Sequence, residues 1–205
     1  MTAKELRSAW KTISCKIAEN EAYLIGLDQQ NGDGDLGLSL KNGFAAIVRY
    51  LDETDEEDLG RLFMGSAKTL NEASPSTLGT ILSLGLSGMA KNLRGKSSAD
   101  TGEIAEAMKQ GLENIEKKAG SKEGEKTILD ALYPALRALE EHRTASPETA
   151  WQAAADAAAS GSERTRSLRA VHGRAAYYGE KSIGILDGGS AAGRLIFEAL
   201  AERTP

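Results

Sequence analysis

The apolar residues of this chain recur at helical spacing almost from end to end. Leu6, Trp10, Ile13 and Ile17 follow the i, i+4, i+7 rule and predict a first helix over about Lys4–Leu24. A second run covers Leu38–Leu51, with Phe44, Ile47, Val48 and Leu51 inward. A third leaves the acidic DETDEED stretch and passes through Leu59, Phe63 and Leu70, and a fourth carries Leu82, Leu86 and Met89. Asp100 with Glu103 reads as a capping box opening a fifth helix, and a sixth holds Ile128, Leu129, Leu132, Leu136 and Leu139. Ser146 before Pro147 reads as an N-cap with proline in the first turn of a long seventh helix, to about Val171. Leu195, Ile196 and Leu200 fall on a short last one. LSLGLSG, around residue 84, alternates like a strand, but its flanks are helical. It therefore reads as a tightly packed helix with Gly85 and Gly88 at its contacts. Eight helices without a strand, a repeat or a proline-rich linker predict an all-α, single-domain bundle over residues 1–205.

Composition narrows the function classes. One cysteine excludes an internal disulfide framework and a Cys-rich zinc site. Twenty-five basic against thirty acidic residues give a net charge of -5, which argues against a nucleic-acid partner needing a basic face. No apolar run approaches the ~20 residues of a membrane span, and MTAKELRSAW has no signal-peptide core. A cytoplasmic protein that binds neither nucleic acid nor membrane is expected. Cys15, Met64, Met89, Tyr177 and Tyr178 read as packing residues and His142 as solvated. His172 has no neighbouring nucleophile in the sequence.

Chemistry is therefore sought in the polar loops. LDQQNGDGDLG places Asp28, Asp33 and Asp35 within eight residues, and the glycines between them let the backbone turn tightly. Converging carboxylates repel, and a divalent cation turns that repulsion into coordination; an all-oxygen donor set selects Mg²⁺, Ca²⁺ or Mn²⁺ over zinc. Gly32, Gly34 and Gly37 spell GxGxxG, but no buried strand leads in and two acids lie inside the motif. An EF-hand reading fails because Leu36 and Asn42 stand where glycine and glutamate are needed. An Asx-rich turn capping the next helix remains open beside the metal site. AGSKEGEKT nearly matches a P-loop, with Glu125 in place of its second glycine, and otherwise reads as an exposed connector. ASPSTLGT offers hydroxyls and amides at a helix start, which suits anion binding and equally suits ordinary capping by Ser74, Ser76 or Thr77. Arg174, in HGRAAYYGEKSIGILDGGSA, suits phosphate or a surface ion pair with Glu180.

Four of these segments, in this order along a chain of this size, resemble the nucleotide-binding L subunit of dihydroxyacetone kinase: LDQQNGDGDLGLSLKNGF, ASPSTLGT, GEKTILDALYP and GRAAYYGEKSIGILDGGSA. The resemblance implies an eight-helix antiparallel barrel with the nucleotide site at one end. It assigns two Mg²⁺ ions to Asp28, Asp33 and Asp35. Contacts to ADP or ATP fall to Leu36, Gly37, Leu38 and Ser39, to Ala73 and Ser74, to Gly120, Ile128 and Arg174, and to Asp187, Gly188 and Gly189. It implies phosphoryl transfer to dihydroxyacetone or a related hydroxyketone, with no covalent catalysis by this chain. The hydroxyketone sits on a separate K-type subunit, and a phosphotransferase-system protein is the donor in one branch of the family. The resemblance leaves self-association as a homodimer open. A Mg-nucleotide-binding regulatory module without turnover is the alternative. Leu36 and Ile185 stand where the family has histidines, Pro75 where it has glycine, and Gly188 where it has proline.

Overall fold

The computed structural model describes residues 1–202. Among them are nine α-helices and no named strand: α1 (Ala3–Glu19), α2 (Glu21–Asp28), α3 (Leu36–Glu53), α4 (Leu59–Ala73), α5 (Thr77–Asn92), α6 (Thr101–Ala119), α7 (Leu129–Glu141), α8 (Pro147–Arg164) and α9 (Gly188–Glu202). Two 3₁₀ segments, Thr165–Ser167 and Arg174–Ser182, lie between α8 and α9. The expected first helix is divided at Asn20, whose side-chain amide donates to the Lys16 carbonyl at 2.8 Å. α2 continues beyond the break, packed between α3 and α9. The expected seventh helix stops at Arg164 rather than Val171, turning into 3₁₀ geometry.

Counted as packing units, α1 with α2 forms one stave and the others form seven more. Each stave packs on the next, and α9 closes on α1, so the all-α expectation takes the form of a closed eight-stave barrel. Each stave turns an apolar stripe inward. On α3 it is Leu36, Leu40, Phe44, Ile47 and Leu51, at the three- and four-residue spacing that keeps side chains on one helix face. Trp10 meets Phe44 at 5.7 Å between ring centroids, and Trp151 meets Phe197 at 6.3 Å. Between these pairs lies an apolar cavity of about 140 Å³. Small residues bring helices close: a Cβ on Gly88 would come within 2.7 Å of the backbone of α6 at Gly111, as the packed-helix reading of LSLGLSG requires. Among the described residues no helix is long and apolar enough to cross a membrane.

Some packing expectations fail. Cys15 is exposed, because the buried stripe passes through Ile13 and Ile17 and a residue two places from each points away from it. Met64, Tyr177 and Tyr178 are exposed as well, Tyr177 at 91%. His142 is half-buried, with Nδ1 2.9 Å from the Ala138 carbonyl.

The two barrel ends differ in chemistry. At one end the α3–α4 and α5–α6 connections gather round the N-terminus. The Gly95 amide donates to Asp58, the Ala99 amide to the Met1 carbonyl, and Arg7 to the Leu51, Thr54 and Glu56 carbonyls. At the other end lie the α2–α3, α4–α5, α6–α7 and α8–α9 connections, which carry the four segments picked out by their polar composition.

Candidate functional site

The mouth is organised around the chain between α2 and α3. Asp28 closes α2, and its carboxylate accepts from the Gly34 amide at 2.7 Å and the Leu36 amide at 3.4 Å. That fold-back needs Gly34, which sits at φ 78° where side-chain-bearing residues are rare. The turn brings Asp33 and Asp35 beside Asp28, with one carboxylate oxygen from each residue within 4.8 Å of the others. Asp35 stands at the N-cap position of α3 but makes no side-chain cap hydrogen bond. Desolvation, and then the Asp33 and Asp28 carboxylates, push its pKa above the usual value. A half-buried and two exposed carboxylates, all hard oxygen donors, fit an Mg²⁺-type cation that keeps part of its water shell.

Three other loops face this triad. Arg174, expected to pair with Glu180 or with phosphate, instead reaches Asp33 at 2.7 Å. Ser39, in the first turn of α3, has its hydroxyl 2.7 Å from that of Ser74 and 2.9 Å from that of Ser76. Ser76 is also the cap of α5, accepting from the Gly79 amide at 3.1 Å, so capping and a hydroxyl cluster coexist there. Ser74 is fully buried, and Ala73 precedes it at the end of α4.

The remaining predicted contacts lie on the start of α3, the α6–α7 connection and the turn before α9. Gly188 lies against Leu36, where a Cβ would come within 2.7 Å of the leucine, and Gly189 lies against the amide of Ile128. Leu36 and Ile128 are buried, Gly37 is buried against α2, where a Cβ would strike the Glu21 carbonyl, and Leu38 is half exposed. Gly120 ends α6 in the left-handed conformation. Asp187 caps α9, accepting from the Ser190 amide at 2.6 Å. Part of Asp187 remains exposed, but its carboxyl lies among protein atoms, and desolvation raises its pKa to about 7.

The GEKT segment, read from the sequence as an exposed connector, is not one. Lys126 is buried at 4% exposure and donates to the Thr165, Leu168 and Ile185 carbonyls. Burial lowers its pKa. Asp130 is also buried and accepts from the Gly124 amide at 2.6 Å and the Thr127 amide at 2.7 Å. His172 pairs with Glu125 at 2.6 Å, and the histidine bond holds the Glu125 carboxyl below its usual pKa.

The DAK2 domain model matches residues 30–202. The chain belongs to the DAK2 domain family. Asp28 stands two residues before the matched span. The ADP-binding DhaL subunit of a PEP-dependent dihydroxyacetone kinase from Listeria innocua is 30% identical over 91% of this chain and 89% of its own length. Its Escherichia coli counterpart is 28% identical over 94% of this chain and 93% of its own. The crystal structure of the dihydroxyacetone kinase from Citrobacter freundii, in complex with AMP-PNP and Mg²⁺, superposes with a TM-score of 0.76 at 28% identity. That match covers 97% of this chain and 33% of the Citrobacter chain, so this DAK2 chain corresponds to about a third of that enzyme.

Proposed function

We propose that this chain is the ADP/ATP-binding subunit of a kinase for small hydroxyketones. The convergence of Asp28, Asp33 and Asp35 with Arg174 and the Ser39–Ser74–Ser76 hydroxyls at one mouth of the barrel carries this reading. Phosphoryl transfer needs in-line positioning and charge neutralisation more than covalent chemistry, and this mouth offers both. The three aspartates would hold two Mg²⁺ ions, which neutralise and orient phosphate oxygens. The serine hydroxyls and the free amides opening α5 donate to the phosphates. Arg174, already at the triad, exchanges Asp33 for a phosphate and forms paired N–H···O bonds. Ile128 and the Asp187–Gly189 turn wall the nucleoside.

The acceptor is a three- or four-carbon hydroxyketone, since relatives over at least 90% of this chain are a dihydroxyacetone kinase and an L-erythrulose kinase. It is held by a separate K-type subunit. The phosphoryl donor is a phosphotransferase-system protein acting on ADP retained in the mouth, because the relatives matched along nearly their full length are named as PEP- or PTS-dependent subunits. A first test is thermal unfolding with ADP and Mg²⁺. A ligand at 100 times its Kd adds about 2.7 kcal/mol, or ~5–10 °C for a chain of this size. No shift with both present overturns the nucleotide site. If the site binds but neither ATP nor phosphotransferase proteins yield phosphorylated hydroxyketone with a K-type subunit, the regulatory-module reading replaces the kinase.

A further inference from the structure

We infer that Lys126 is the positioning residue of the nucleotide mouth, a tethered ammonium that fixes the loop after α6 and the turn before α9 in one register. This rests on the nucleotide reading of the mouth. The Lys126 ammonium has three N–H donors and meets three backbone carbonyls: Thr165 at 2.7 Å, Leu168 at 3.2 Å and Ile185 at 2.6 Å. Its donor capacity is filled, and among the described residues no carboxylate lies within ion-pair distance of it. The carbonyls belong to segments 39, 42 and 59 residues away. One of them lies two residues before Asp187, and the Asp187 amide in turn donates to the Thr165 hydroxyl at 3.1 Å.

Lys126 also has φ 60°, the one positive value at a non-glycine among the described residues. Side-chain-bearing residues hold that conformation where surrounding contacts over-determine it. Asp130 holds the same loop from the other side through the Gly124 and Thr127 amides. The lysine thus ties this loop by hydrogen bonds to the segment leading into the Asp187–Gly189 turn, beside the packing of Gly189 on Ile128 and the Glu125–His172 pair. Lys126 touches neither the aspartate triad nor the serine cluster, so its loss should disturb nucleotide binding and spare the cation site.

Lys126→Ala is compared with wild type for ADP binding in Mg²⁺ and for Mn²⁺ binding alone, both by calorimetry, and for hydrogen exchange without ligand. ADP affinity should fall about 10- to 100-fold, as when other orienting residues are removed. Mn²⁺ affinity should stay within about twofold, and amides 165–168 and 185–190 should lose protection. Propylammonium, which refills the carbonyl cradle, should restore ADP affinity and protection where tetramethylammonium, with no N–H, does not. Unchanged ADP affinity overturns the proposal, as does an equal loss of Mn²⁺ affinity. If Lys126→Ala is not recovered folded, Lys126→Met keeps the apolar stem and is read by the same affinity split and exchange pattern. If wild type itself binds no ADP, the nucleotide reading fails, and the exchange pattern with amine rescue still decides whether Lys126 fastens the two segments.

Discussion

Replacing Asp35 by asparagine should stabilise the cation-free protein and abolish its response to Mg²⁺. Asp35 lies at 4.8 Å or closer to both Asp28 and Asp33. At that distance a like-charge pair costs about 0.9 kcal/mol in water and about 3.5 kcal/mol at an effective dielectric of 20. Asp33 and Asp35 are exposed, so the lower figure applies, and two pairs give ~2 kcal/mol of repulsion. Two effects oppose the gain. A negative charge at a helix start contributes about 0.3–1 kcal/mol, and Arg174 attracts Asp35. No cap is lost, since Asp35 makes no side-chain cap bond. The net gain in EDTA is ~1 kcal/mol, or ~2–4 °C in Tm. In saturating Mg²⁺ and ADP the order reverses, because wild type gains its ligand stabilisation and the variant does not. The assay is thermal unfolding in EDTA and in Mg²⁺ with ADP. Loss of stability in EDTA would show that Asp35 supports α3 and does not await a cation. A wild-type response to Mg²⁺ would remove Asp35 from the site.

Asp187→Asn should flatten the pH dependence of stability. The folded pKa of about 7 lies above the unfolded value near 4, so between them the folded chain retains a proton that the unfolded chain has released. Stability therefore falls as pH rises from about 4 to about 7, by up to about 4 kcal/mol. Urea unfolding in EDTA at pH 5 and pH 8 should show this fall in wild type and a smaller one in the variant; equal falls refute it. Gly161→Ala should destabilise in spite of better helix propensity. The new Cβ would strike the Asp130 carbonyl and approach Pro134 to 2.9 Å, and overpacking of this kind costs about 1–3 kcal/mol, exceeding the ~1 kcal/mol propensity gain. A higher urea midpoint would refute that packing.

Sequence reasoning reached most of the fold because the fold is local. The Asp100–Glu103 box forms both of its hydrogen bonds, at 2.9 and 2.8 Å, and Ser146 accepts from the Thr149 amide. The Asn20 break was hidden because apolar spacing runs on from Ile17 to Leu24, while the break shows a side-chain bond to a carbonyl one turn back. Lys126 was hidden for a different reason. A lysine reads as surface until three carbonyls from 39 to 59 residues away surround it, and spacing within GEKT carries no trace of them. Its one local signal is Asp130, four residues on, at the start of a helix.

The aspartate loop shows why local spacing left two readings open. As a capping turn, the loop needs carboxylates that accept from backbone amides; as a cation site, it needs carboxylates with lone pairs to spare. Both conditions hold, on different residues. Asp28 does the turn's work through the Gly34 and Leu36 amides, and by doing so fixes where Asp33 and Asp35 come to rest. Asp35, in the capping position, makes no cap bond, and Asp33 is met by the Arg174 guanidinium. A turn serving only to start α3 would spend its acids on amides. This one keeps two of its three free of such bonds and brings a cationic side chain to one of them from 141 residues away along the chain.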